Sequence, residues 1–239
     1  MPKLTVIGSS SHGNSYVLEC CGQKLIIEIG LSWKKIMGAI NFDISGLVGV
    51  ISTHVHGDHF NANTFKNCQL NGIRVSSTFE CATKYEGVGA FLDRGKYNIG
   101  RFKVMALSVP HNAECFAYVI DMPEDNGRLL FITDASDFPY KIPKVNYLCI
   151  ETNYCEDKLI DNLMGDGVSS QPTNHMSLDT ALAVTERLYS PSLCEVVCLH
   201  LSDGNSNENE IKKRFFETLG IRAKIAQPGL IINLEKEEF

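Results

Sequence analysis

The sequence predicts a mixed α/β protein whose strands form sheets covered by helices. Three observations carry this reading. Apolar runs of strand length, such as Leu129–Thr133 and Glu195–Leu199, are nearly continuous in Val, Ile, Leu and Phe, as expected of sheets covered on both faces. Segments with helical spacing and helix-end signals lie between and after these runs. Strand runs open each half of the chain, which suggests a two-sheet core with helices outside it. Periodicity leaves the topology open.

In chain order, strands are expected at Leu4–Gly8, Ser15–Cys20 and Lys24–Ile29, where apolar residues recur between Gly and Ser turns. A helix near Ser32–Ile40 leads to a strand at Val48–Ser52, and a helix near Asn61–Lys66 to a short strand at Arg74–Ser76. A helix at Thr78–Tyr85 follows, then strands at Phe102–Ser108, Cys115–Ile120, Leu129–Thr133 and Tyr147–Glu151. A helix at Ser177–Tyr189 and a strand at Glu195–Leu199 precede the best-marked helix, Ser206–Leu219. Ser206 offers its N-cap, Glu208 and Glu210 sit in its first turn, and Gly220 stops it. Ile211, Phe215, Phe216 and Leu219 are expected to form one face against a sheet. Strands at Ala223–Ala226 and Leu230–Asn233 end the chain.

At 239 residues, with 44% hydrophobic and 21% charged content, the chain fits one soluble globular domain spanning residues 1–239. It has no internal repeat, low-complexity tract or Pro/Ser-rich linker. The apolar runs are too short to span a bilayer, and the first residues enter a strand pattern with no signal peptide. Residue 1 is therefore expected to start the mature protein. The nine cysteines are odd in number and lack a CxxC pair, and Cys115, Cys149, Cys194 and Cys198 lie in apolar strand patterns. Free buried thiols in a reducing cytoplasm are expected. The net charge is −6, and Lys212-Lys213-Arg214 lies in a charge-mixed helix. An acidic chain is repelled by nucleic acid at long range, so an extended nucleic-acid partner is disfavoured.

The chemistry is concentrated in Ser52-Thr53-His54-Val55-His56-Gly57-Asp58-His59. A strand ends there in a turn that presents three imidazoles and a carboxylate, donors suited to zinc and similar ions. One turn cannot wrap a single ion with all four groups, so HxHxDH splits: His54 and His56 toward one ion, Asp58 and His59 toward another. Gly57 lets the backbone bend between the pairs. A chance occurrence of this pattern is expected in fewer than ~1 per thousand chains of this length. Of the seven histidines, His111 and His200 also lie where strand patterns end, as does Asp134. A carboxylate at Asp134 can bridge two cations.

These motifs resemble those of the metallo-β-lactamase-fold hydrolases. HVHGDH matches the HxHxDH pattern, His111 in VPHNAEC the next ligand, Asp134 in FITDAS the bridging aspartate and His200 in LHLSDGN the last ligand. The resemblance runs from Gly8-Ser9-Ser10-Ser11-His12-Gly13-Asn14 to beyond His200. It implies a four-layer αββα sandwich with a dinuclear site at one sheet edge, holding two Zn2+ or, as an alternative, Mn2+. His56 argues against the flavo-diiron branch and His59 against the true β-lactamases. The chain has no room for the thioesterases' helical domain or for a β-CASP insertion.

Glu151 in LCIETNY and His175 in NHMSLDT resemble a pair found in ribonuclease Z-like enzymes, and single-domain DNA exonucleases share the surrounding pattern. A protonated imidazole can supply the proton that a poor alkoxide leaving group needs, while a carboxylate orients it. His175 capping the helix that opens at Ser177 is the structural alternative. Glu28 in IIEIG, AINFDISGLVGVISTHVHGDH and VCLHLSDGNSNENE resemble phage-encoded anti-Pycsar phosphodiesterases, and Tyr154 departs from the exonuclease pattern. That resemblance implies a small-molecule substrate, cyclic CMP or cyclic UMP, opened to a nucleoside monophosphate. His175, Glu151 and Asp58 would serve catalysis. His54, His56, Asp58, His59, His111, Asp134 and His200 would hold metal. A homodimer is carried over from relatives, and the cytoplasm expected from the free thiols would be the host's if the chain is phage-encoded. The alternatives are a DNA or RNA nuclease with the same centre and an inactive nucleotide-binding protein. The Gly8–Ser15 loop either cradles phosphate through its N–H groups or is a plain turn, with His12 beside the site.

Overall fold

The computed structural model describes residues 1–164 and 174–235, with the backbone alone described at 161–164. Strand β1 (Lys3–Gly8), β2 (Ser15–Cys20), β3 (Gln23–Ile27), α1 (Trp33–Ala39), β4 (Leu47–Ile51), α2 (Ala62–Leu70) and β5 (Val75–Ser77) open the chain. Helix α3 (Phe79–Lys84), β6 (Gly89–Ala90), β7 (Lys96–Ile99), β8 (Phe102–Ser108), β9 (Phe116–Asp121) and β10 (Arg128–Ile132) follow. The chain continues through β11 (Tyr147–Glu151), α4 (Glu156–Met164), α5 (Leu178–Leu188), β12 (Glu195–Leu199), α6 (Glu208–Leu219), β13 (Lys224–Ile225) and β14 (Ile231–Asn233).

The strands form two sheets, ordered β14-β1-β2-β3-β4-β5-β6 and β13-β12-β11-β10-β9-β8-β7. Alternation along each strand sorts the side chains into layers. Leu4, Val6, Tyr16, Leu18, Leu25 and Ile27 of the first sheet meet Phe102, Val104, Phe116, Tyr118, Phe131 and Tyr147 of the second in a buried core. The Tyr16 and Phe131 rings meet edge to face there, with centroids 5.1 Å apart. The opposite faces are covered by helices. Ile36 and Met37 of α1 and Phe65 and Cys68 of α2 pack on Val17, Ile26 and Val50. Leu178, Ala181 and Leu182 of α5 and Ile211 and Phe215 of α6 pack on Leu130, Ile132, Leu148 and Ile150. This is the expected four-layer αββα sandwich.

The pairings β3-β4-β5-β6 and β10-β11-β12-β13 are parallel, so the carboxyl ends of those strands line up along one edge of each sheet. Ligand sites of α/β folds sit at such edges.

Several details depart from expectation. β3 stops at Ile27 because Glu28 takes a left-handed φ of 67°. The N-cap of α6 is Asn207, whose side chain accepts from the Asn209 and Glu210 N–H groups, and not Ser206. Phe216 is 54% exposed while Ile211 and Phe215 are buried, because it lies a full residue's rotation off their face. The edge strands β6 and β7 and helix α4 fall outside the expected elements: the two strands are only two and four residues long, and α4 is a short segment with no Ser, Thr, Asp or Asn directly before it to mark a start. Cys194 is exposed just ahead of β12, against the expectation of burial. Among the described residues no helix is long and apolar enough to cross a membrane.

Candidate metal centre

After β4 the chain closes into a tight turn, in which the His59 and Phe60 N–H groups donate to the His56 carbonyl (3.0 and 2.7 Å). Glu28, fully buried at the end of β3, supports this turn from beneath. Its Oε2 accepts from Ser52 Oγ (2.8 Å) and the Thr53 N–H (3.3 Å), and its Oε1 lies 3.5 Å from His59 Nδ1. Glu28, Asp134 and His200 stand at the carboxyl ends of three strands, and all have positive φ (67°, 48° and 52°). Such backbone costs of order 1–3 kcal/mol per residue and persists only where the surrounding structure enforces it.

Two clusters of donors meet at Asp134. In the first, His54 Nε2 and His111 Nε2 lie 2.9 and 3.2 Å from His56 Nδ1, and both approach Asp134 Oδ2 (3.8 and 4.0 Å). In the second, His59 Nε2 lies 3.1 Å from Asp134 Oδ1 and 3.3 Å from Asp58 Oδ2, which is 3.5 Å from His200 Nε2. Each group's donor atoms lie within 4.8 Å of one another. Asp134 thus turns one oxygen to each cluster. The HxHxDH turn divides between them as His54 and His56 on one side and Asp58 and His59 on the other.

The donor chemistry fits a pair of metal ions. Four ligands around a tetrahedral zinc stand about 3.3 Å apart, given bonds of about 2.0–2.1 Å. His111 Nδ1 donates to the Asn174 carbonyl (3.2 Å), so in the neutral ring Nε2 presents a lone pair inward. Thr53 Oγ1 engages His54 Nδ1 (3.0 Å) and leaves its Nε2 facing the cluster. His59 Nδ1 and His200 Nε2 are buried without a hydrogen-bond partner among the described residues. A cation would satisfy His200 Nε2, which is otherwise costly to bury.

Electrostatics divide the two clusters. Burial, then the neighbouring imidazoles, hold His54 well below the usual histidine range, and burial lowers His111. Burial alone would also lower His59 and His200, but the surrounding carboxylates outweigh it. His59 is raised well above its usual value, and His200 is pushed up to about 10. Burial would raise Asp58 and Asp134, yet the same imidazoles hold both well below the usual carboxylate range. The carboxylates of the second cluster therefore favour positive charge at its centre, which a metal cation would supply.

Beside the clusters, Glu151 Oε1 accepts from His175 Nδ1 (2.6 Å). Glu151 Oε2 accepts from the Ala135 N–H (2.8 Å) and Met176 N–H (3.3 Å), so the carboxylate is fixed. The His175 side chain is 26% exposed, and its ring stacks on His200 at 5.3 Å. Burial lowers His175, and the Glu151 carboxylate outweighs this and raises it. The cap of α5 is Ser177, whose Oγ accepts from Thr180 N, so helix capping does not occupy His175. Asp134, Glu151, His175 and His200 also form a third group with metal-like spacing.

The structure brings all nine residues named from sequence into this one region, and leaves His12 exposed outside it. Ser9, Asn14, Thr53 and Asn153, which carry no sequence signal for this role, bond to the ligand segments. Asn14 sat in a Gly/Ser-rich stretch that turn chemistry explained without it. The phosphate-cradle reading of that loop loses support. Its His12, Gly13 and Asn14 N–H groups donate to Ser10 Oγ, the Ser10 carbonyl and the Asp58 carbonyl.

No protein-family model matches the chain. A 60-residue stretch is 40% identical to an exodeoxyribonuclease, WalJ, of Streptococcus pneumoniae, covering 24% of this chain and 22% of that protein. The chain thus matches under a quarter of that relative's length. Among solved structures, YhfI from Bacillus subtilis, a metallo-β-lactamase-fold protein, aligns with a TM-score of 0.78 at 19% identity, covering 98% of this chain and all of that one. A diphosphatase from the PhnP family aligns with a TM-score of 0.68 at 16% identity, covering 99% of both chains. At such identities the likeness is one of architecture, and the architecture of this chain is the metallo-β-lactamase fold.

Proposed function

We propose that this protein is a metal-dependent phosphodiesterase that opens cyclic mononucleotides, such as cyclic CMP or cyclic UMP, to nucleoside monophosphates. The observation that carries the reading is the His175–Glu151 pair, at 2.6 Å, on the rim of two four-donor clusters that share Asp134. When bound, two zinc or manganese ions would supply Lewis-acid activation of water and of the phosphate oxygens.

The chain's own residues do the rest. Asp134, with one oxygen toward each cluster, sets the spacing of the two sites. Glu151 holds His175 by Nδ1, so that Nε2 is free to protonate the departing sugar oxygen, and the carboxylate favours the protonated ring. Asp58 is kept ionised and belongs to the second cluster. A net charge of −6 supports a small monoanionic substrate over a long polyanion. The same reading takes residues 1–239 as one hydrolase domain, acting as a homodimer in the cytoplasm.

A second reading, a DNA exonuclease with the same centre, is favoured by the segment related to WalJ. The deciding experiment offers the zinc- and manganese-loaded protein cyclic mononucleotides, cyclic dinucleotides, single- and double-stranded DNA, and RNA. Chromatography then identifies the products. Turnover of cyclic CMP or cyclic UMP above any oligonucleotide, per scissile bond, is the expected result. Degradation of DNA from an end with cyclic mononucleotides untouched would replace the first reading by the second.

A further inference from the structure

The loop between β1 and β2 is tied to one of the two donor clusters and not to the other. Ser9 Oγ accepts from the His200 N–H (2.8 Å) and is itself held by the Tyr16 hydroxyl (2.7 Å). Asn14 is fully buried. Its backbone N–H donates to the Asp58 carbonyl (2.7 Å), and its carbonyl accepts from Gly30 (2.9 Å). Its side-chain amide reaches the Ser10 and Asp58 carbonyls (3.0 and 3.3 Å) and lies 3.0 Å from His59 Nε2. Every ligand segment touched, at Asp58, His59 and His200, belongs to the second cluster. Among the described residues neither Ser9 nor Asn14 bonds to His54, His56 or His111.

The backbone beneath this junction leaves no slack. A Cβ on Gly30 would stand 1.6 Å from the Asp58 carbonyl oxygen, so only glycine lets β3's exit pass under the turn. His200 has positive φ, and Ser9 holds its backbone N–H. His59 comes from the first sheet's edge and His200 from the second's. One short loop thus spans the gap between the sheets and sets the distance between these two imidazoles.

We propose that Ser9 and Asn14 are positioning residues that assemble the second metal site selectively, leaving the first to stand without them. The inference rests on the dinuclear reading above. Outer partners that orient metal ligands commonly change affinity by about 10–100-fold when removed. The first cluster has its own such partners in Thr53 and the Asn174 carbonyl, so its affinity does not depend on this loop.

The test strips metal from the wild-type chain, Ser9→Ala, Ser9→Thr and Asn14→Ala, then titrates each with Zn2+ by calorimetry. Elemental analysis fixes the stoichiometry, and circular dichroism with thermal melting confirms folding. The expected result is two equivalents in the wild type. Ser9→Ala and Asn14→Ala should keep one site of unchanged affinity and weaken the other by about 10–100-fold. Ser9→Thr, which keeps the hydroxyl, should restore the second site. Unchanged affinity at both sites in both alanine variants overturns the proposal. Equal weakening of both sites also overturns it, because the loop would then act on general stability. A single equivalent in the wild type removes the dinuclear reading itself, and the proposal with it, before any variant is made.

Discussion

The side chains of the two clusters differ in the protons they hold, and this has measurable consequences. A raised imidazole is protonated at neutral pH, so a metal must displace its proton; a lowered one is already neutral. His59 is raised and His200 stands near 10, whereas His54 and His111 are lowered. Zn2+ affinity at the second cluster should therefore climb as pH rises from 6 to 9, while the first changes little above about pH 6.5. Titrations in buffers of different ionisation enthalpy check this, since binding at the second cluster should release more protons than binding at the first. His175 offers a separate readout. His175→Ala should keep its metal and lose roughly two to four orders of magnitude in kcat on a diester with an alkoxide leaving group. Bis-p-nitrophenyl phosphate, whose nitrophenolate leaves without a proton, should be far less affected. Equal losses on both substrates would show that His175 acts by positioning or by ligation.

Helix α6 shows how local signals and packing combine in an element. Asn207 caps it and Gly220, with φ 70°, ends it. Phe215 is fully buried against the second sheet and Phe216 faces solvent. Phe215→Ala should cost about 3–5 kcal/mol, through lost burial and the cavity left behind. Phe216→Ala should stay within about 0.5 kcal/mol, and Asn207→Ala should cost about 1 kcal/mol. Urea midpoints of the three variants give the ranking directly. A large loss at Phe216 would mean that its face meets a partner, such as a second copy of the chain.

For the whole molecule, the donors come from both sheets: the HxHxDH turn follows β4 of the first, while Asp134 and His200 follow β10 and β12 of the second. A metal bound there joins the layers as well as serving chemistry. Binding at about 1,000 times Kd stabilises by about 4 kcal/mol, which for a chain of this size is a Tm shift of about 10 °C. Chelation should lower Tm by that order, and added Zn2+ should restore it; an unchanged melt would count against a tightly held ion. The charge balance acts at the same scale. For a small cyclic monoanion, kcat/KM should change little between low and physiological salt, whereas a nuclease binding several phosphates should weaken steeply. Rates across a salt series separate the two.

The strands, the helices and the concentration of metal-type donors are legible in the amino-acid order alone. Val/Ile/Leu runs encode strands buried on both faces, and HxHxDH after β4 places four donors within six residues, where spacing alone argues for two ions. His111, Asp134 and His200 were legible because they end strand patterns. That these distant strand ends meet follows from packing: parallel register brings carboxyl ends to one edge, and no local signal encodes register between sheets. Packing also brings Ser9 and Asn14 against partners 191 and 45 residues away. A serine and an asparagine in a glycine-rich loop read as turn residues until the chain folds over them. The ion pair between Glu151 and His175 became a distance, 2.6 Å, only when β11 and the start of α5 packed together. Local propensity acts over a few residues, and the geometry of a metal site is set by packing over the whole sandwich.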